Sequence, residues 1–303
     1  DLSGVNFNRC LLIGADFTGS KLVGTSFHEA YMSGCCFEGS DLTQTQFSMA
    51  SIGDSRFVGA KFKETQLKGA DCSSGVFSGV FFDHVDCSGA VFAKAQLNDV
   101  RMNHTNARDA RFTDANLAHG IFSNCDFGGS NFSQAHLDNV QFSQCECVDA
   151  DFMGAKVRRA RWITCDLTSA RGGRSTDFSS SSFMECVFDR CGWMGVTLEG
   201  TMMEACNCRE SDFSESNLKN INLSHTDSSA SIFDRSDLTD ANFVGANLLG
   251  ASFIGSRLHR ADFKNANLYG ANMQGSDLEG ANLIDANIEA TILLTRKTGA
   301  FHE

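Results

Sequence analysis

A large apolar residue recurs at every fifth position along almost the whole chain, and few folds accommodate that spacing. From Leu2 to Leu167 a step of five visits 34 positions; 30 are Leu, Phe, Met, Ile, Val or Trp, the others being Cys72, Cys87, Ala107 and Cys147. The step restarts at Phe178 and reaches Ile288 over 23 positions, with only Cys208 and Ser228 outside the rule. Two residues before each of these lies a column of Ala, Ser, Cys, Thr, Val or Gly, with Ile221 as the one large intruder. A helix returns to one face every 3.6 residues and a strand every 2, so a period of five is neither. Such a chain must turn a corner after each unit. Large side chains then fill the interior, small ones line the crowded inner wall, and the remaining three positions face water.

Composition agrees with this layout. Of the 26 phenylalanines, 24 lie in the large column, leaving Phe81 and Phe301, and proline is absent. A backbone that commits nearly all its N–H groups to inter-strand bonds has no room for proline. No apolar run approaches the roughly 20 residues needed to cross a bilayer, so no membrane span is expected.

The stretch "ADFKNANLYGANMQGSDLEGANLIDANIEA" (261–290) resembles the consensus A(D/N)LXX of the pentapeptide-repeat family. The resemblance covers residues 1–291. It implies an all-β fold: a right-handed quadrilateral parallel β-helix, or solenoid, with four pentapeptides per coil. At a coil spacing of ~4.8 Å, about 14 coils would make a rod on the order of 70 Å long. Phe17, Phe37, Phe57 and Phe77 would stack as one internal ladder, and Leu2, Leu22, Leu42 and Phe62 as another. Residues 1–291 read as a single β-helix and residues 292–303 as a C-terminal tail, with Ile292, Leu293 and Phe301 as a candidate cap over the last coil. The chain starts in repeat register at Asp1, which suggests a piece of a longer protein. A fused N-terminal domain, or end-to-end pairing with a second copy, would cover the first coil's strand edges.

The register slips once, at residues 171–176, where "RGGRST" inserts one extra residue. Gly172 then takes a slot meant for a core side chain. Trp193, one position beyond a full coil from it, is expected to fill the vacated room, with a bulge or short loop at Gly172–Gly173.

Twelve of the thirteen cysteines fall in the two inward columns and only Cys36 faces out. They replace Thr and Val as small fillers, and no C-x-x-C spacing points to zinc. So many buried thiols suit a reducing compartment, the cytoplasm first; secretion as part of an effector is the alternative that the family resemblance implies. The eight histidines all lie at outward positions or in the tail. His84 and His104 would stack in adjacent coils beside Glu64 and Asn124, and read as a solvated pair rather than a metal site. A filled solenoid offers no concave pocket, and no P-loop, GxSxG, HExxH or dinucleotide motif occurs. Neither catalysis nor a cofactor is expected.

Charge is uneven. Residues 156–174 hold six bases and one acid within a chain of net charge −12. This basic girdle, Lys156, Arg158, Arg159, Arg161, Arg171 and Arg174, is a candidate binding site for an acidic partner. It also reads as a cross-coil charge ladder with Asp138 beneath Arg158. An acidic face runs through Asp109, Asp126, Glu146, Asp149, Asp166, Asp189 and Glu210, interrupted by Arg108, Arg190 and Arg209. Direct nucleic-acid binding is not expected from so acidic a chain. Val244, Leu249, Ile254 and Tyr269 add outward apolar residues near the C-terminal end.

Two functions follow. The first is a non-catalytic scaffold for another protein, for which the resemblance implies a repeat module of a larger bacterial protein, such modules including parts of secretion systems and secreted effectors. The second comes from the resemblance: some family members protect DNA gyrase by mimicking duplex DNA. Duplex DNA carries a charge every ≈ 1.7 Å, whereas twelve net charges over ~70 Å give about one per 6 Å. The best-known gyrase-protecting members also carry projecting loops and a C-terminal dimerising helix, neither of which is expected from one six-residue irregularity and the short segment "ILLTRKTGAFHE".

Overall fold

Each corner is made by a turn of fixed design. After a core residue at position i, two residues turn and the N–H of residue i+3 bonds back to the core carbonyl, as from Val5 to Leu2 at 3.1 Å and from Ala30 to Phe27 at 3.0 Å. The residue at i+2 is characteristically left-handed. Glycine takes this conformation freely at Gly14 (φ 70°), but Met49 (φ 60°) and Arg159 (φ 54°) adopt it with a full side chain. For non-glycine residues that conformation is unfavourable, and ladder bonds such as Met49 N–H to the Lys68 carbonyl (2.9 Å) hold it in place.

The computed structural model describes residues 1–293, so Phe301 of the expected cap lies outside the described residues. The chain divides into two compact units, Asp1–Leu167 and Thr168–Glu303. Both are all-β stacks of parallel coils, and no helix occurs among the described residues.

In the first unit, parallel bridges recur at four places per coil, starting from Asn6↔Ser26, Leu11↔Tyr31, Asp16↔Cys36 and Lys21↔Asp41. Four sides and a 20-residue repeat are what the family resemblance implies. On one side the bridges lengthen into six short strands, β1 (Lys61–Lys63), β2 (Phe81–Asp83), β3 (Arg101–Asn103), β4 (Ile121–Ser123), β5 (Gln141–Ser143) and β6 (Arg161–Ile163). They pair in chain order, each in parallel with its counterpart one coil further. The middle residue of each strand is buried and the first faces out.

Stacked aromatic rings fill this unit. Phe17, Phe37, Phe57 and Phe77 lie one above another, with successive centroids 5.0, 5.0 and 4.5 Å apart. Adjacent columns meet edge to face, as Phe37 does with Phe47 at 5.6 Å. Both arrangements place ring edges and faces favourably.

The small column does more than leave room. Thr25, Thr45 and Thr65 donate their hydroxyls to the carbonyls of Leu2, Leu22 and Leu42, each in the coil before, at 2.7–2.8 Å. Cys35 sends its thiol to the Leu12 carbonyl in the same way (3.1 Å). Thr, Ser and Cys are interchangeable here because each is both small and a donor.

The second unit repeats this construction, with a short strand β7 (Ser182–Met184) and with Phe213, Phe233 and Phe253 stacked at 5.3 and 5.0 Å. Its first coil contains the irregularity. Arg171 pairs with Gly192, one position more than a full coil away, whereas Asp177 pairs with Thr197 in the regular register. Between them the Thr176 N–H bonds to the Gly173 carbonyl, and the Gly173 N–H to the Thr176 hydroxyl. Trp193 is buried and occupies the place a side chain at position 172 would take. A Cβ added to Gly172 would sit 2.8 Å from its ring carbons. At the far end of the described chain, Ile292 continues the ladder, its N–H bonding to the Ala271 carbonyl at 2.9 Å.

Gly172→Ala should therefore destabilise the protein by about 1–3 kcal/mol through overpacking. Combined with Trp193→Phe, which frees space, it should cost less than the sum of the two single changes in urea unfolding. Additive costs would mean that the ring does not occupy the glycine's space.

Candidate interaction surfaces

The residue before each core position is often a short polar one, and the structure shows what such side chains do. Asp1, Asn6, Asp16 and Asp126 each accept the N–H two residues on, at 2.9 Å. Such side chains cap the turn. An aspartate here is first a structural group and only second a charge.

The acidic face divides between the units. In the first, bridges place Asn106, Asp126, Glu146 and Asp166 in one column, three acids in successive coils. Asp109 and Asp149 occupy left-handed turn positions two coils apart (φ 56° and 59°). Arg108 reaches from the coil before to Asp126, its Nη1 3.2 Å from Oδ2, and so neutralises part of the column. In the second unit Asp189 accepts the backbone N–H of Arg209 (3.0 Å), while the Arg209 side chain pairs with Asp227 at 3.1 Å. Glu210 follows in a left-handed turn position.

The basic residues also fall in both units. Lys156, Arg158 and Arg159 share one pentapeptide of the first unit, and Arg161 opens β6 on the next side. Arg158 grips Asp138 with Nε at 3.0 Å and Nη2 at 2.6 Å, the cross-coil pair expected from the 20-residue register. Partial burial pushes the Asp138 carboxyl up, but the hydrogen bonds from Arg158 outweigh it and hold its pKa below the usual carboxylate value. Arg159 donates to the Asn139 side chain at 3.0 Å. In the second unit Arg171 lies in the bridge to Gly192, and Arg174 shares Glu215 with Arg235, at 2.8 and 3.1 Å.

The histidine pair stacks as anticipated, His84 on His104 with centroids 4.9 Å apart. Asp83, which the spacing did not single out, bonds His84 Nδ1 at 2.8 Å. All thirteen cysteines are free thiols. Burial pushes Cys72 and Cys147 well up and Cys206 up to about 11, which keeps them protonated and unreactive.

One surface escaped the sequence reading. Leu11, Ile13, Tyr31 and Met49 are 73%, 66%, 60% and 60% exposed on the first coils of the first unit. Leu11 and Tyr31 are bridge partners, and the Arg9–Glu29 ion pair (2.6 Å) lies beside them. Arg9, Glu29, Ala30, Tyr31, Met49 and Ser51 line a shallow groove there. By comparison Leu249, Ile254 and Tyr269 in the second unit are 45%, 37% and 43% exposed.

Stacked five-residue turns with a filled core and ladders on four sides define a pentapeptide solenoid. Family models agree: the model "Pentapeptide repeat region" matches residues 75–152, and "Pentapeptide repeats (8 copies)" matches 1–39, 194–227, 231–268 and 261–293. The chain belongs to the pentapeptide-repeat family. Comparison with curated protein sequences gives no match. Among solved structures, a pentapeptide repeat protein of the Arabidopsis thaliana thylakoid lumen is 30% identical over 33% of this chain and 69% of its own, with a TM-score of 0.32. QnrB1, a plasmid-mediated fluoroquinolone resistance protein, is 19% identical over 61% and 90% (TM-score 0.35). HetL, involved in heterocyst differentiation regulation in the cyanobacterium Nostoc sp. strain PCC 7120, is 20% identical over 100% and 93% (TM-score 0.16). No helix among the described residues is long and apolar enough to cross a membrane.

Asp138→Asn should lower stability by about 0.5–1 kcal/mol at neutral pH. Because the folded pKa is depressed, that contribution is complete above the ordinary aspartate value of about 3.9 and fades as the pH falls through the folded value. Parent and variant stability curves should accordingly converge in acid. A gap that persists below both pKa values would show that packing, not charge, is responsible.

Proposed function

We propose that the chain is a non-catalytic scaffold that holds another protein, as a repeat module of a larger bacterial protein, and that the face around Leu11, Ile13, Tyr31 and Met49 makes the contact. The observation behind this reading is the clustering of four strongly exposed large apolar side chains in the first coils of one unit. Outward positions elsewhere in the repeat are mostly polar or glycine, and contiguous exposed apolar groups mark interaction sites. The backbone under the patch is ladder-bonded, so little ordering cost attends binding. The basic residues Lys156, Arg158, Arg159 and Arg161 are a second surface for an acidic partner. Its central members already hold fixed poses on Asp138 and Asn139.

Affinity capture with the parent, with Leu11→Ser/Tyr31→Ser, and with Arg158→Glu/Arg159→Glu/Arg161→Glu separates the two surfaces. Loss of a captured partner with the apolar variant alone, equivalent to about 2 kcal/mol or more, assigns the contact to that face. Equal capture by all three proteins would sink both surfaces.

The column Asp126, Glu146 and Asp166 supports a second reading, a DNA-mimicking protein that binds gyrase or a related topoisomerase. Inhibition or quinolone protection in a supercoiling assay at low micromolar protein, lost on Glu146→Lys, is the expected result under that reading. No effect on supercoiling leaves the scaffold.

A further inference from the structure

We propose that His259, Asp277 and Glu279, in the second unit, form a binding site for a first-row divalent cation of the zinc type. His259 follows the core residue Leu258, and Asp277 and Glu279 flank Leu278 in the next coil. Backbone bonds on both sides of the histidine fix this stacking: Leu258 N–H to the Asp277 carbonyl at 2.8 Å, and Arg260 N–H to the Glu279 carbonyl at 2.9 Å. The three ligand atoms, one imidazole nitrogen and two carboxylate oxygens, lie within 4.8 Å of one another.

The donors converge on the imidazole nitrogen. Asp277 spends Oδ1 on the Glu279 N–H (3.2 Å), which sets its rotamer and turns Oδ2 toward His259 Nε2 at 2.5 Å. Glu279 Oε2 approaches the same nitrogen at 3.8 Å. The nearby cations are engaged by other acids, Arg257 by Asp237 at 2.9 Å and Arg260 by Asp240 at 2.6 Å.

The donor set decides the ion. One nitrogen and two oxygens at ~2.0–2.2 Å suit Zn²⁺ with water completing the tetrahedron. Calcium asks for six to eight oxygens, which three side chains including an imidazole do not supply. The His259–Asp277 contact sets Nε2 and Oδ2 facing each other, and a metal ion would replace the hydrogen bond between them. By joining two successive coils the ion would also clamp the ladder there.

The test is calorimetric titration of the full chain with Zn²⁺, after chelator treatment and with a non-thiol reductant, in a Cys10→Ser/Cys36→Ser background so that the two thiols that are not buried are not counted. One site is expected. Glu279→Gln should weaken it about tenfold or more, and His259→Gln likewise. The Glu279 side chain is 82% exposed, so its variant will fold whatever its effect on the ion. No Zn²⁺ uptake by the parent, or unchanged affinity in both variants, overturns the proposal, as does Ca²⁺ binding as tightly as Zn²⁺.

Discussion

Everything in this protein rests on the register between one coil and the next. A single pentapeptide makes one turn bond and buries one side chain, too little to fix its backbone against conformational entropy. Stacking converts that marginal unit into a ladder. Phe27, for instance, donates its N–H to the Gln46 carbonyl at 2.7 Å, and its ring packs between Phe7 and Phe47 at 5.3 and 5.1 Å. The backbone bond fixes the height of the coil and the ring fixes its lateral position. A slip of one residue would move every phenylalanine out of the core at once, which is why the register is so strictly kept.

The same register organises the inner wall. A core carbonyl such as Leu22 accepts both the N–H of Thr25, at the end of its own turn, and the hydroxyl of Thr45, one coil further. Both lone pairs of a buried carbonyl are thereby used, and buried polar groups are costly when they are not. This explains a feature that size alone leaves open. Thr, Ser and Cys recur at positions where Ala and Val would fit, and several of their hydroxyls and thiols reach core carbonyls, either of the preceding coil, as Thr201 does to Phe178 and Cys206 to Phe183, or of their own turn, as Ser40 does to Phe37.

Much of the fold was legible because the period of five is written in side-chain size. The stack of Phe17, Phe37, Phe57 and Phe77, the Arg158–Asp138 pair and the fit of Trp193 over Gly172 all follow from adding 20 or 21 to a residue number. Contacts that run diagonally did not follow. Arg108 to Asp126, Arg56 to Glu38 and His259 to Asp277 each fall short of a full coil, linking a position just after one core residue to a position just before another. These side chains reach sideways past the core column, and column arithmetic misses them. The apolar group at Leu11, Ile13, Tyr31 and Met49 was hidden differently. Its members are scattered through three pentapeptides and become neighbours only when coils stack.

That contrast bears on where function can reside in such a chain. The core residue, the small residue and the Asp or Asn between them are dictated by packing and turn chemistry, so they say little about a partner. Freedom is left at the two turn positions and at those preceding positions where no acid or amide is used. There the repeat norm is glycine, serine, aspartate or asparagine, and departures from it carry the information. Leu11, Ile13, Tyr31 and Met49 are departures that the turn does not require, and Met49 holds a left-handed conformation that glycine would adopt more easily. His259 and Glu279 likewise stand at turn positions where the backbone asks for nothing. Asp126 and Asp166 are not departures: they occupy the slot that caps a turn, as Asp126 does toward Gly128. An acidic column built from that slot is partly a consequence of the fold, whereas an apolar patch or a mixed imidazole–carboxylate cluster is not.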